Sequence, residues 1–286
     1  ELAQSRLNVT QSTISAQMAK LESRLGYRLC ERGRGGFRLT TKGQHVLVAS
    51  RALLDAVNDF LVEAQEVAGR LVGELRVGLA DNIGGNPSVR LDAALARFRD
   101  RAADVTLNLV VDEPQELERR VLGGELHVAV SHTAKSLPGL AYRHLFDEPQ
   151  AVYCSRRHPF FSLPDSRIGE AELEQAQWVD AQYTLPRERD LPYTKGARAT
   201  ADHVDAILQL VLSGQFIGYL PAHYADPWVA REELRALHER LFNYSIEFFA
   251  ITRRTDHPGE VLSAFLEDLF AIHRSDSGME PSERGS

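Results

Sequence analysis

Apolar residues near the start of the chain fall at helical spacing. Ile14, Met18, Leu21 and Leu25 recur at i, i+4, i+7 and i+11 and make one stripe of an amphipathic helix. The other face carries Gln11, Ser12, Thr13, Ser15 and Gln17, short polar groups suited to base edges and phosphates in a major groove. Thr10 stands where an N-cap is wanted, and Gly26 where a helix stops. By itself this stretch fits an ordinary surface helix equally well. Tyr27 to Arg32 and Gly33 to Thr40 then hold two alternating runs around a glycine turn, which predicts a small hairpin. Arg32 and Arg34 sit at its tip, Arg38 on the return strand, and Thr40 or Thr41 caps the next helix.

From Gly43 to Val72 there is no proline, and no glycine follows Gly43 before Gly69. Val46, Ser50, Leu53, Val57, Phe60, Ala64, Val67 and Leu71 alternate in steps of four and three, a heptad seam broken only by Ser50. A helix of this length must bury its stripe on another surface, either its own chain or, the favoured reading, a second copy.

From Glu74 the pattern alternates strand and helix. Strands are expected at 75–79, 105–111 and 126–130, with helices at 88–101 and 114–122 between them. A second set follows, with strands at 150–154, 216–220 and 246–251 and helices at 202–212 and 258–273. Such alternation predicts a parallel sheet with right-handed crossovers. The polar tail 275–286 is expected to be disordered.

Charge separates the two parts. Residues 1–45 hold eight Lys/Arg against three Glu, a net +5, although the whole chain carries −7. A basic front on an acidic protein points to a polyanion partner for that end alone. Cys30 and Cys154 are too few and too far apart for a disulfide scaffold and suit a reducing cytoplasm. No apolar run is long enough to span a membrane. Motifs of hydrolases, nucleotide-binding loops and paired-cysteine metal sites are missing, so an α/β enzyme or a solute-binding protein with a basic arm is the weaker reading. An oligomeric scaffold without DNA is a third.

Ser5 to Ser15, then Leu21-Glu22 with Leu25-Gly26, Glu31-Arg32, and Leu39-Thr40-Thr41-Lys42-Gly43 resemble the winged helix-turn-helix of LysR-type transcriptional regulators. Cys30 replaces a Phe-like residue of that family, and Ala16 an Arg or Lys. Gly73 to Gly78, Leu122 to Val130 and Val211 to Pro221 are similar, less specifically, to the family's effector-binding domain. The resemblance implies an α/β chain with a winged helix-turn-helix at 1–42 whose first helix lies upstream, and a linker and dimerisation helix at 43–73. It also implies an effector domain of two periplasmic-binding-protein-like lobes at 74–274. The lobes are expected at 74–147 with 251–274, and at 148–250, joined by strands crossing near 148–154 and 246–250.

The expected DNA-binding residues are Gln11, Ser12, Thr13, Ser15, Arg32, Arg34 and Thr40. In open α/β sheets a ligand lies beyond the carboxyl ends of strands, near helix N-termini. That rule selects Asn82, Ser88, Ser131, His132, Thr200 and Tyr219 as effector-lining residues. The bland alternatives are a helix N-cap for Ser88, a strand-end hydroxyl for Thr200, core for Tyr219 and a surface loop for His132. The expected partners are double-stranded promoter DNA, a second or further copy forming a dimer or tetramer, a small-molecule effector of unknown identity and, for an activator, RNA polymerase. No metal or resident cofactor is expected.

Overall fold

The computed structural model describes residues 10–33, 36–65, 71–133, 135–181, 198–238, 244–255 and 258–277. The chain divides into two compact units, 1–60 and 61–286.

In the first unit, helix α1 spans Gln11–Leu25. The Thr10 hydroxyl accepts the Thr13 N–H at 3.3 Å, and Gly26 closes the helix at φ +77°, where a side chain would strain the backbone. Strands β1 (Cys30–Gly33) and β2 (Gly36–Leu39) pair antiparallel, with Gly33 opposite Gly36 across the turn. The hairpin is tied to α1 by Glu22, whose carboxylate accepts the N–H groups of Leu29 at 2.7 Å and Cys30 at 3.2 Å. Those two bonds stabilise the charged form and lower its pKa. Cys30 is buried, as a small core residue in its position should be.

Helix α2 spans Thr41–Gln65. Thr40 caps it, accepting the Gly43 N–H at 2.9 Å while donating to the Arg28 carbonyl at 2.9 Å. Gly43 has to be glycine, because a Cβ there would stand 1.9 Å from the Leu29 carbonyl oxygen. Leu47, Leu53, Leu54 and Val57 are exposed along α2, whereas Val46 nearer its start is half-buried.

In the second unit one mixed sheet runs in the order β10-β6-β11-β5-β3-β4, with β9 also paired to β6. Its strands are β3 (Val72–Ala80), β4 (Asp104–Asp112), β5 (Val128–Ser131), β6 (Leu140–Ser155), β9 (Gly218–Pro221), β10 (Leu234–Leu237) and β11 (Tyr244–Arg253). Only β3 with β4 and β3 with β5 are parallel. Where β6 and β11 enter, pairing turns antiparallel, so the expected all-parallel sheet holds for one region alone. Helices α3 (Leu91–Arg101), α4 (Pro114–Leu122) and α8 (Glu260–Ser277) accompany this part. The last helix reaches Ser277, so 275–277 belong to it; 278–286, expected to be disordered, lie outside the described residues.

The remaining elements are α5 (Glu170–Gln175), a parallel pair β7 (Val179–Ala181) and β8 (Ala199–Ala201), α6 (Val204–Leu212) and α7 (Ala222–Ala230). Core packing marks two lobes. Leu145 and Phe146 belong to the core around Phe98, Leu117 and Phe265, whereas Ala151 and Tyr153 belong to a core with Ile207 and Leu220. Val152, on the other face of β6, packs with Trp178 and Tyr219. Ile246, Phe248 and Ala250 pack in the first core. The stretch 246–250, expected as a crossing between the lobes, packs in the first core from Ile246 onward.

Candidate functional site

Two regions carry polar groups suited to recognition. On α1, Gln11, Ser12 and Thr13 are exposed and Ser15 is half-exposed. The Thr10 hydroxyl lies 2.8 Å from that of Ser12 and 2.9 Å from that of Thr13, which links the three at the start of the helix. Lys20, Arg24, Arg28 and Arg38 are exposed, and the Lys42 ammonium sits 4.7 Å from the centre of the Tyr27 ring. Ala16 is also exposed, so the missing family cation leaves a gap in a polar surface. Thr40 is committed to capping α2. Arg34 lies outside the described residues, as does the Arg32 side chain.

The second region is a cavity of about 360 Å³ between the lobes of the second unit. Its first wall follows the carboxyl end of β3 through Asp81 and Asn82, its second the end of β4 through Asp112 and Glu113. Asp202, His203 and Val204 face them from the start of α6, and His132, Glu148 and Phe248 lie where the crossing strands pass. Three contacts tie the walls, and a fourth, from Gln150, holds Glu148 along its own strand. Asp81 pairs with His203. His223 Nε2 donates to the Asn82 carbonyl at 3.1 Å. Asn86 Nδ2 donates to Glu148 at 3.3 Å, and Gln150 Nε2 donates to the same carboxyl at 2.8 Å. Burial pushes the Glu148 carboxyl up to about 7 despite those two donors, and it holds His223 below the usual imidazole range.

Of the six residues expected to line an effector site, the structure brings Asn82 and His132 to the cavity. Asn82 adopts φ +61° at the turn after β3, and His132 lies edge-on to Phe248 with ring centres 5.3 Å apart. The other four go elsewhere. Ser88 is exposed and gives its N–H to Asn86 Oδ1 at 2.9 Å, and the helix it seemed to cap begins three residues later. Ser131 is fully buried, its hydroxyl donating to the His132 carbonyl. Thr200 faces solvent on β8, two residues before the cavity wall. Tyr219 is core: its neighbours on β9 face another cluster, while its own ring meets Tyr244 at 5.2 Å and Trp178 at 6.0 Å.

Sequence reasoning missed Asp81, Asp112, Glu148, His203 and His223. The strand-end rule had pointed to the segments holding Asp81 and His203 but selected their neighbours. Among the described residues, a possible cation-holding trio is His144, Asp147 and Glu247, all exposed on β6 and β11.

A small basic helix-and-hairpin unit followed by a two-lobed domain with an interlobe cavity is the arrangement of a ligand-responsive transcription regulator. The chain belongs to the LysR family: residues 2–44 match the model "Bacterial regulatory helix-turn-helix protein, lysR family", and residues 68–271 match "LysR substrate binding domain". Members are DNA-binding transcription regulators with an effector-binding domain, not enzymes. The chain is 40% identical over 266 residues to the HTH-type transcriptional activator BauR of Pseudomonas aeruginosa, covering 93% of this chain and 87% of that protein. Its fold is similar to a full-length OxyR variant from Pseudomonas aeruginosa, with a TM-score of 0.68 at 19% identity, covering 98% of this chain and 92% of that one. It is also similar to full-length CbnR in complex with its target DNA, with a TM-score of 0.54 at 21% identity, covering 94% and 93%. Among the described residues no helix is long and apolar enough to cross a membrane.

Proposed function

We propose that this regulator reads promoter DNA through α1 and the hairpin, self-associates through α2, and senses its effector in the cavity beside Glu148. The observation that carries the DNA assignment is the coincidence of exposed hydroxyls and amides on α1 with the net +5 of residues 1–45. Gln11, Ser12, Thr13 and Ser15 are assigned to the major groove and Arg32 and Arg34 to phosphates. Thr40 contributes by fixing the wing to α2. The exposed Leu53, Leu54 and Val57 support pairing of α2 with a second copy, which would place two reading helices on a two-fold symmetric site. Whether the sensor lobes extend the dimer to a tetramer is part of the same measurement. In the cytoplasm, where such DNA resides, the further partner for an activating role like that of BauR is RNA polymerase.

The test is capture of promoter-region duplex by the full chain across a salt series, with mass measured in solution. Affinity should fall steeply with salt, and replacing Arg32 and Arg34 by Ala should reduce the logarithmic slope by about 2. A dimer or larger assembly is expected. A full chain that ignores duplex at low salt overturns the reading.

A further inference from the structure

Resting on the regulator reading, the chemistry of the cavity narrows the class of effector. We propose that it takes a small organic cation, an ammonium or guanidinium group on a short aliphatic stem, with the charged end received by Glu148.

Charge supports this first. Asp81, Asp112, Glu113, Glu148 and Asp202 all line the cavity, and no Lys or Arg does among the described residues. Two of the five are already answered: Arg120 reaches Asp112 at 3.2 Å, and His203 meets Asp81. Among the described residues Glu113, Glu148 and Asp202 have no Arg or Lys within ion-pair distance. An anionic ligand entering here would face like charges in a partly desolvated space, where repulsion is strongest. Helix N-termini usually favour anions, and α4 and α6 begin at this cavity. Their positive ends already have carboxylates beside them, Glu113 and Glu116 on α4 and Asp202 and Asp205 on α6.

Hydrogen-bond bookkeeping is the second and independent support. His223 donates its Nε2 proton to the Asn82 carbonyl, so in the neutral ring Nδ1 is an acceptor. That Nδ1 faces Glu148 Oε1 at 3.6 Å and meets no donor among the described residues. The Gln150 side chain gives its amide N–H to Glu148, and its own Oε1 is buried without a donor. Glu148 itself is buried, and its two oxygens accept one bond each, from Asn86 and Gln150, so each keeps room for a further donor. Behind Glu148, which lines the cavity, the described neighbours therefore hold more acceptors than donors. Burial without a donor is costly, so the site favours whatever supplies one. A proton on Glu148 meets part of that need, consistent with its upward pKa. An ammonium would supply three donors and a positive charge together. Val111, Val204, Ile246 and Phe248 offer apolar surface for the stem.

Four probes of one chain length separate the possibilities: putrescine, γ-aminobutyrate, butanediol and succinate, titrated calorimetrically into the full chain. Putrescine is expected to bind best, γ-aminobutyrate more weakly because its carboxylate meets the acidic lining, and butanediol and succinate weaker than putrescine by about tenfold or more. Glu148→Gln should weaken putrescine by about tenfold, and Asp202→Asn, at an exposed position that keeps the fold, by about threefold. Circular dichroism checks the buried variant, and if it does not fold Asp202→Asn carries the test. Succinate binding as tightly as the amines overturns the proposal, as do amines that give no binding or that bind these variants undiminished. Duplex capture by the same samples separates the two readings. Retained DNA binding with any overturning result removes only the cation, whereas loss of DNA capture removes the regulator and leaves the ligand preference measurable.

Discussion

Polar side chains in the first unit are held mainly by backbone groups close in sequence, whereas those around the cavity are held largely by groups from far along the chain. Thr10 caps α1 through Thr13, Glu22 grips Leu29 and Cys30, and Thr40 bonds Gly43 and Arg28. Asp81 meets His203, Asn86 meets Glu148, and the Asn82 carbonyl meets His223. The first kind of contact exists once a helix or hairpin forms. The second exists only when two lobes are closed to one particular distance. A reading head benefits from fixed local geometry, and a sensor from contacts that a small molecule can replace.

The sharpest way to break this contrast is Gly43→Ala. The new methyl would collide with the Leu29 carbonyl, a backbone atom that cannot turn aside as a flexible side chain would. A loss of about 3 kcal/mol or more is expected, confined to the first unit. Thermal melting should show a weakened early transition and DNA capture should fail, while putrescine heats stay as in the parent. If both units melt earlier together, they are one cooperative body and the contrast is false.

Asp268→Ala should come next. This carboxylate of α8 is buried and receives Arg97 Nε at 2.7 Å and Arg101 Nε at 2.9 Å, both from α3. Removing it leaves a void and strands two guanidinium groups that are half-exposed and can rehydrate. The expected loss is therefore about 2 kcal/mol, below the usual cost of breaking a fully buried pair. Denaturant melting should show it in the second unit alone.

The same contrast explains what could be read in the sequence. Helix α4 is legible to the residue, since Pro114 opens it and Gly123 follows Leu122. Thr10 and Gly26 mark α1 equally well. Helix α3 misleads because Ser88 resembles an N-cap, yet Asn86 takes the Ser88 N–H and Arg90 turns left-handed before Leu91. Strand β6 is legible only over 150–154, because Asp147, Glu148 and Pro149 interrupt its pattern where it passes between lobes. Helix α7 hides behind Pro221 and an internal Pro227. In the cavity, the strand-end rule reaches the right turns, but which side chain faces inward depends on partners 62 or 141 residues away. No local pattern encodes that.

Glu148→Gln tests the long-range side through pH. Burial raises the folded pKa to about 7, above the ordinary carboxyl value of 4.5. The folded chain thus holds this proton more tightly than the unfolded chain does. Its contribution is complete below pH 4.5 and is lost as pH rises through about 7. The parent should therefore lose about 2 kcal/mol relative to the variant between mildly acidic and mildly alkaline buffer, and the variant's Tm advantage should grow with pH. His223, kept neutral by burial, has the opposite trend in both proteins and largely cancels in the difference. A pH-independent difference in Tm would mean that Glu148 ionises as an exposed carboxyl does.

The smallest effect separates holding from reading on α1. Thr10→Ala removes the acceptor for the Thr13 N–H and the partner of the Ser12 and Thr13 hydroxyls, whereas Ser12→Ala leaves the cap in place. The first change should cost about 1 kcal/mol of helix stability and, by loosening the start of α1, several-fold in duplex affinity. The second should leave melting unchanged and act on affinity alone, by about 1 kcal/mol at a cognate sequence and little at a random one. A difference between cognate and random duplex that appears for Ser12 and not for Thr10 assigns base reading to the exposed face and geometry to the cap. Equal effects of Ser12→Ala on both duplexes would move it to the phosphates, and unchanged affinity would remove it from the interface.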